Sequence, residues 1–217
     1  AIIVTGNELV PAGSTLKRGD IIDSNSILLS GLVTSWGGIC HIFDPVPDDH
    51  NRILACVKLA LNTYDCVIVN AGSSAGKEDH TANVIAELGK VLVHGVAIRP
   101  GHPVILGIAK NKPIWGLPGY PVSASLTAEL FVKPIIDSIT RRTHKSEPSY
   151  IKAQITQKVS SSMGEDEFLR VTLGQVGDRV VATPLQRGAG IIMSLVKSDG
   201  YVKIPRYSEG LDAGSEI

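Results

Sequence analysis

The first two thirds of the chain alternate short runs of β-branched residues with segments whose apolar residues recur at helical spacing. That alternation is typical of a largely parallel sheet covered by helices. We predict strands at residues 1–4, 39–43, 66–70, 91–94, 103–109 and 113–116. We predict helices at residues 25–35, 49–63 and 80–88 and from about residue 122. Pro134 should kink or split the last helix, because its ring clashes with the preceding turn.

A polar segment containing proline, residues 141–149, ends this alternation. Beyond it, turn-forming stretches separate short apolar runs, and we predict strands at residues 150–156, 168–173, 180–184, 191–195 and 200–204. The pattern indicates an α/β domain followed by a small all-β domain, either a barrel or a sandwich. We place the first domain at residues 1–142, a linker at 143–149 and the second domain at 150–217.

Composition excludes several classes of function. The 217 residues carry 21 Lys and Arg against 21 Asp and Glu, so no basic surface for nucleic acid is expected. No apolar run is long enough to predict a transmembrane helix. The three cysteines are odd in number and lack metal-ligand spacing, so they indicate neither a disulfide framework nor a zinc site. A reduced cytoplasm fits this pattern best. The chain opens without Met inside a predicted strand, so we expect sequence upstream of it.

Three loops at strand ends carry candidate binding groups, because open α/β sheets bind ligands beyond the carboxyl ends of their strands. Gly72 and Gly76 enclose only small residues, which lets backbone amides close on a phosphate or oxyanion, and Asp79 could hold a divalent cation there. A tight turn with a helix cap explains this loop equally well. Arg99 and His102 flank a Pro-Gly turn and suggest an oxyanion pocket, although a rigid turn with a surface Arg is the simpler alternative.

The third loop, LPGYPVS at residues 117–123, begins another helix at the same sheet edge, and it could be nothing more than a helix start. Carboxylates supply the remaining chemistry. Glu8 follows the first strand, and Asp48 and Asp49 precede the second helix. An Asp at a helix start is most often a cap, and that alternative stays open for both aspartates.

Taken together, these motifs resemble one family, the molybdopterin molybdotransferases, which form the MoeA and gephyrin E-domain group. The resemblance lies in the order and spacing of TGNELV, GDIIDSN, AGSSAGKED, IRPGHP and LPGYPVS, and it continues through residues 188–205. It implies a three-layer, mostly parallel α/β domain of the molybdopterin-binding fold, followed by a small β domain.

The family's activity, as the resemblance implies it, is molybdenum cofactor biosynthesis. Molybdate is inserted into adenylylated molybdopterin with release of AMP, and Mg²⁺ assists. The resemblance assigns catalytic roles to Glu8, Asp48 and Asp79, and metal binding to Asp48 and Asp79. It assigns cofactor binding to Thr5, Gly6, Asn25, Gly72, Ser73, Ser74, Gly76, Arg99, His102, Pro118, Gly119 and Ser123. Ser74, Arg99 and His102 fall where the family holds molybdate, and Arg99 and His102 replace a pair of lysines.

The resemblance also implies partners. We expect a cytoplasmic protein that acts on a small-molecule substrate, forms a homodimer at full length and works with the adenylyltransferase of the same pathway. Family members carry two further domains before the first strand, so we expect this chain to be incomplete as an enzyme. Two alternatives stay open, namely a molybdopterin adenylyltransferase and a regulatory module that binds molybdopterin or molybdate without chemistry.

Overall fold

The computed structural model describes residues 1–71, 80–141 and 150–217, which form two compact units. The first comprises Ala1–Val96 with Pro103–Thr143, and the second comprises Ala97–His102 with His144–Ile217. The predicted first domain, residues 1–142, therefore differs from the structure at Ala97–His102, which belongs to the second unit. The linker predicted at residues 143–149 lies outside the described residues.

The strands, in chain order, are β1 (Ile2–Thr5), β2 (Leu9–Val10), β3 (Ile21–Ile22), β4 (Val67–Ala71), β5 (Gly89–His94), β6 (Ile98–Arg99), β7 (Ile105–Ala109), β8 (Lys112–Leu117), β9 (Gln154–Ile155), β10 (Val159–Ser160), β11 (Asp166–Val176), β12 (Arg179–Pro184), β13 (Gly200–Ile204) and β14 (Gly210–Leu211). The helices are α1 (Asn25–Ser35), α2 (His50–Thr63), α3 (His80–Leu88), α4 (Pro121–Thr127), α5 (Lys133–Ile139) and α6 (Met193–Lys197). A π-helical turn, Ala128–Val132, joins α4 to α5.

The first unit is built on a five-stranded sheet with the order β1-β4-β8-β7-β5. Strands β1, β4 and β8 are parallel, whereas β7 runs antiparallel to both of its neighbours. The reversal follows from the tight turn between β7 and β8, where Lys110 and Asn111 both adopt positive φ angles, of 51° and 59°. Such turns match the twist of a two-stranded hairpin. The predicted α/β class is confirmed, with a sheet that is mixed rather than wholly parallel.

Two apolar cores cover the two faces of this sheet and give it three layers. On one face, α1, α4 and α5 pack over side chains that include Ile2, Ile68 and Trp115. On the other face, α2 and α3 pack over side chains that include Ile3 and Ile114. Because neighbouring strand residues point to opposite faces, a short strand such as β1 supplies both cores.

The helix predictions hold well. The helices predicted at residues 25–35 and 80–88 have the same bounds in the structure. Pro134 lies in the first turn of α5, and the π-helical turn immediately precedes it. The Lys133 amide donates to the carbonyl of Ala128, five residues back, so the helix widens where the proline ring would meet the preceding turn.

Two strand predictions were wrong. Residues 39–43 form no regular strand. The chain here pairs with β1 only at two isolated bridges, one at Ile42 and one at Val46. Pro45 and Pro47 have no amide hydrogen to donate, so the pairing does not continue as a regular ladder. Residues 191–195 contain instead the start of α6, and the Ser194 amide and hydroxyl both donate to the carbonyl of Ile191. An apolar run this short does not distinguish a strand from a helix by its periodicity.

The second unit is mainly β-structure, and the predicted small β domain is confirmed. Its principal sheet has the order β13-β11-β12-β9, and β6 pairs with the start of β11 in parallel. That pairing explains why Ala97–His102 belongs to this unit. Strands β10 and β14 form a separate antiparallel pair. Among the described residues, no helix has the length and apolar character that crossing a membrane requires.

Consecutive acidic residues at the start of β11 each pair with cations in this unit. Asp166 lies 3.0 Å from the Lys203 amine and 3.3 Å from the Arg206 guanidinium, and it accepts the Arg206 backbone amide at 2.9 Å. Hydrogen bonds from Lys203 and then Arg206 lower the pKa of the Asp166 carboxyl well below its usual range. Glu167 is buried and pairs with Arg187 at 3.2 Å and the Ser161 hydroxyl at 2.6 Å.

Leu29 and Ile27 lie on the same helix and test the first core. Leu29 is 0% exposed, whereas Ile27 is 61% exposed. We expect Leu29→Ala to lower the free energy of unfolding by about 3 kcal/mol, because it leaves a cavity, and Ile27→Ala to change it by less than about 0.5 kcal/mol. Urea unfolding followed by tryptophan fluorescence measures both, since Trp36 and Trp115 lie in the same core. Equal losses would contradict the assigned packing.

Asp166 makes stability depend on pH. Its pKa is lower in the folded protein than the unfolded value of about 3.9, so its contribution is complete above about pH 4 and is lost as pH falls toward the folded pKa. We expect Asp166→Asn to lower the melting temperature at neutral pH and the difference from the parent protein to shrink in acid. Thermal unfolding across this pH range measures it. Asp212→Asn, which removes only an exposed pair with Lys158, is the control and should change little.

Candidate functional site

The carboxyl ends of β1, β4 and β8 lie side by side at one edge of the first sheet. The parallel register pairs Thr5 with Ala71 and Asn70 with Leu117, so the three strands end at the same level. The chain leaves this edge at Gly6, after Ala71 and at Pro118. Two of the three loops that the sequence singles out, those after β4 and β8, therefore start from one edge together with the segment after β1. The third, which carries Arg99 and His102, follows β6, and β6 is not a strand of the first sheet.

The loop after β1 meets the segment before α2. The Gly6 amide donates to the carbonyl of Val46 at 3.1 Å, and the Asp48 amide donates to the Asn7 side-chain oxygen at 3.2 Å. The Glu8 carboxylate folds back over Gly6, where an added β-carbon would lie 3.0 Å from Glu8 Oε2. The structure thus brings the segments that carry Glu8 and Asp48 together at this edge.

The two adjacent aspartates have different roles. Asp49 caps α2, because its carboxylate accepts the Arg52 amide at 2.9 Å. The alternative interpretation of a helix cap is therefore correct for Asp49. Asp48 is exposed, and its backbone amide, not its carboxylate, holds the Asn7 side chain. The Asp48 carboxylate consequently remains available to a ligand or a cation.

Asn25 and Asn70 tie three elements of this edge to one another. The Asn25 amide donates to Asn70 Oδ1 at 2.9 Å and to the carbonyl of Gly119 at 2.6 Å. The Asn70 amide in turn donates to the carbonyls of Leu117 at 3.3 Å and Pro118 at 2.7 Å. These bonds connect the start of α1, the end of β4 and the turn after β8.

Asn70 is a site residue that the sequence analysis missed. It is buried at the end of β4, where the strand pattern predicts an apolar side chain. A buried polar amide at such a position needs hydrogen-bond partners, and this requirement could have identified Asn70 from the sequence. Its partners turn out to be backbone carbonyls of the loop that contains the predicted residues Pro118 and Gly119.

The Oδ1 atom of Asn25 is buried and has no hydrogen-bond partner among the residues that the structure describes. A buried acceptor without a partner costs about 1–3 kcal/mol, so a ligand donor that reaches it would recover that energy. Asn25 lies beside Gly119, and the cofactor-binding role predicted for it stays a prediction.

The other predicted site residues of this unit differ in their exposure to solvent. Thr5 is the last residue of β1 and Gly6 follows it, and both are buried. Ser123, in the first turn of α4, is also buried. Pro118 and Gly119 are partly exposed in the turn before α4. Gly72, Ser73, Ser74, Gly76 and Asp79 lie outside the described residues.

The predicted cation site cannot be assembled from the described residues alone. Carboxylate oxygens are suitable ligands for Mg²⁺, and Asp48 offers an exposed pair of them. Within the described ranges, however, no three His, Cys, Asp or Glu side chains are grouped in a way that could hold a metal ion. Asp79, the second predicted ligand, would have to complete the set.

Arg99 and His102 belong to the second unit and share one carboxylate partner, Glu165. His102 Nδ1 lies 2.9 Å from Glu165 Oε1, and Arg99 Nε lies 3.5 Å from Glu165 Oε2. Arg99 also contacts the Ser162 hydroxyl at 3.5 Å. The predicted pair is thus brought together, but with an internal anion that the sequence analysis did not anticipate.

A cavity of about 270 Å³ lies at the opposite edge of the first sheet, near the amino ends of β1 and β4. Its lining is mainly apolar and includes Cys40, Cys66, Trp115 and Ile136. Burial raises the pKa of the Cys66 thiol, which keeps it protonated. A mainly apolar lining that includes the acidic residue Asp65 does not suit an anionic nucleotide, so this cavity is not the candidate site.

Comparison with known proteins identifies the family. Residues 1–138 match the family described as a probable molybdopterin binding domain, and residues 152–217 match the MoeA C-terminal region, domain IV. A protein of Methanocaldococcus jannaschii, whose name assigns it to molybdopterin biosynthesis, is 35% identical over the whole chain, which covers 53% of that protein. The molybdopterin molybdenumtransferase of Haemophilus influenzae is 28% identical, and the chain covers 54% of it.

Among solved structures, a molybdopterin biosynthesis MoeA protein from Pyrococcus horikoshii is similar, with a TM-score of 0.85 and 39% identity. The match covers 99% of this chain and 52% of that one. The chain therefore spans about half the length of the relatives it matches. Its two units correspond to two regions of those proteins, and the chain belongs to the MoeA-like molybdopterin molybdotransferase family.

Proposed function

We propose that this chain acts in molybdenum cofactor biosynthesis, and that the edge formed by β1, β4 and β8 binds adenylylated molybdopterin. One observation carries the proposal: candidate binding segments lie next to one another at the carboxyl ends of three parallel strands. The segment of Glu8 contacts that of Asp48, and Asn25 contacts Gly119. Open α/β sheets bind ligands at this position. The family membership supports the identity of the ligand.

In the proposed reaction, water attacks the phosphoanhydride and AMP leaves. The two dithiolene sulfurs of molybdopterin then bind molybdate, and one molybdate oxygen leaves with the two thiol protons as water. Asn25 Oδ1 accepts a pterin N–H, while the Pro118–Gly119 turn positions the ring. The Glu8 carboxylate orients the attacking water and takes its proton. Mg²⁺, when bound, neutralises phosphate charge, and Asp48 with Asp79 would hold it.

We assign molybdate binding to Arg99 and His102 of the second unit. Ser74, the third residue that the resemblance assigns to molybdate, lies outside the described residues. A guanidinium gives the oxyanion a planar pair of donors, and an imidazole adds a third. The remaining nucleotide contacts are proposed for Thr5, Gly6, Gly72, Ser73, Gly76 and Ser123. We further propose that the full-length protein is a homodimer that receives its substrate from the adenylyltransferase of the pathway.

The adenylyltransferase alternative is not favoured, because the second unit matches the MoeA C-terminal region. A binding module without chemistry would have the same contacts to the pterin. It differs from the enzyme only in leaving the phosphoanhydride intact, so AMP release discriminates between them.

Replacing the acidic residues should slow AMP release. We expect Glu8→Gln and Asp48→Asn each to lower the single-turnover rate by about 100-fold or more, because a positioned base or cation ligand is lost. Chromatography of the AMP formed from adenylylated molybdopterin, with excess protein and Mg²⁺, measures the rate. Asp49→Asn is the matched control, since Asn caps a helix equally well and the rate should stay unchanged. Unchanged rates in all three variants would contradict the proposed roles.

Removing the Asn70 amide should loosen the turn that positions the pterin. We expect Asn70→Ala to lower the free energy of unfolding by about 2 kcal/mol, because the Leu117 and Pro118 carbonyls lose their donors. We also expect an affinity for adenylylated molybdopterin about tenfold lower.

A destabilised control separates the two effects of that change. Ile136→Ala opens a cavity in α5, at the opposite edge of the sheet, and should cost about 2 kcal/mol or more without changing the affinity. Urea unfolding and fluorescence titration measure stability and affinity. Equal losses of affinity in the two variants would show that Asn70 has no specific role.

A further inference from the structure

The proposed oxyanion ligands Arg99 and His102 already hold an anion. Each oxygen of the Glu165 carboxylate faces one of them, with His102 Nδ1 at 2.9 Å from Oε1 and Arg99 Nε at 3.5 Å from Oε2. A tetrahedral oxyanion bound by the same two side chains would present two of its oxygens in the same way. The carboxylate therefore occupies the two donors that such an oxyanion would need.

Backbone pairing fixes this arrangement. Strand β6 runs parallel to the start of β11, with Ile98 opposite Asp166 and Arg99 opposite Glu167. The Asp166 amide also donates to the carbonyl of Ala97 at 2.9 Å. Because Glu165 immediately precedes β11, the register of the two strands keeps its side chain beside the loop that carries Arg99 and His102.

The next two acidic residues of β11 have other partners. Asp166 pairs with Lys203 and Arg206, and Glu167 pairs with Arg187. Within the described part of the chain, Glu165 is thus the carboxylate that pairs with Arg99 and His102. The side chains involved are partly open to water, at 48% for Arg99, 64% for His102 and 29% for Glu165.

We propose that Glu165 is an internal counter-ion that an incoming oxyanion must displace, and that it sets the affinity and the charge preference of the Arg99–His102 pair. This inference rests on the proposed function, which assigns molybdate to that pair. Exposed ion pairs contribute little to stability, so a ligand with two negative charges can displace the carboxylate. A ligand with one negative charge gains less from the Arg99 guanidinium and displaces the carboxylate less readily.

Glu165→Gln tests the proposal, because it removes the charge and keeps the size of the side chain. We expect molybdate to bind this variant about tenfold more tightly than the parent protein, since one repulsive charge near a dianion is lost. Perrhenate, a tetrahedral monoanion of similar size, should gain only about threefold, because the lost repulsion scales with ligand charge. Titration calorimetry with sodium molybdate and sodium perrhenate at low ionic strength measures both.

Two further variants serve as controls. Glu216→Gln makes the same change of net charge at an exposed pair with Lys152 in the same unit, and the affinity for molybdate should stay unchanged. Arg99→Ala should weaken binding in both the parent protein and the Glu165→Gln variant. Together these results would support a local effect of Glu165 on the proposed pair.

Three results would overturn the inference, and they differ in whether they also contradict the assignment of molybdate to Arg99 and His102. Molybdate binding that depends on Arg99 but is unchanged or weaker in Glu165→Gln overturns the role of Glu165 and leaves the oxyanion assignment intact. Equal gains for molybdate and perrhenate overturn the charge preference and indicate a steric effect. Absence of molybdate binding in the parent protein and in Glu165→Gln overturns the inference together with the assignment of molybdate to Arg99 and His102.

Discussion

The parallel alignment of β1, β4 and β8 is the constraint on which the candidate site depends. Parallel pairing makes each of these strands end at the same edge, so loops that are 40 or more residues apart in sequence emerge next to one another. Apolar cores on both faces hold the strands in this register. A slip of one residue would turn the buried side chains to the wrong face, so the packing that stabilises the unit also aligns its loops.

Polar side chains then fix the loops that leave this edge. Asn70 and Asn25 satisfy backbone carbonyls of the turn after β8, and Asn7 accepts the Asp48 amide across from the loop after β1. Buried amides of this kind are costly unless they are fully bonded, and Asn25 Oδ1 has no hydrogen-bond partner among the described residues. In the second unit, charge performs the equivalent task, since the acids at the start of β11 each hold a cation in place.

The sequence predicts the elements better than it predicts their side-chain partners. The bounds of α1 and α3 follow from apolar periodicity, and the effect of Pro134 follows from its ring. The common edge of the loops after β4 and β8 follows from the topology of α/β folds. The strand at residues 39–43 was wrong because prolines interrupt its hydrogen bonding, and residues 191–195 were wrong because a short apolar run has no distinctive period. The Arg99–Glu165 pairing depends on the register of β6 with β11, which residues so distant in sequence do not reveal.

The central claim is that the ligand binds at the carboxyl edge of the first sheet, and hydrogen–deuterium exchange tests it most directly. Addition of adenylylated molybdopterin and Mg²⁺ should slow amide exchange at residues 6–8, 46–48 and 118–121 and leave the peptides around Cys40 and Ile136 unchanged. Slowed exchange around the apolar cavity at Cys40 and Cys66, with no slowing at residues 6–8, 46–48 and 118–121, would contradict the account.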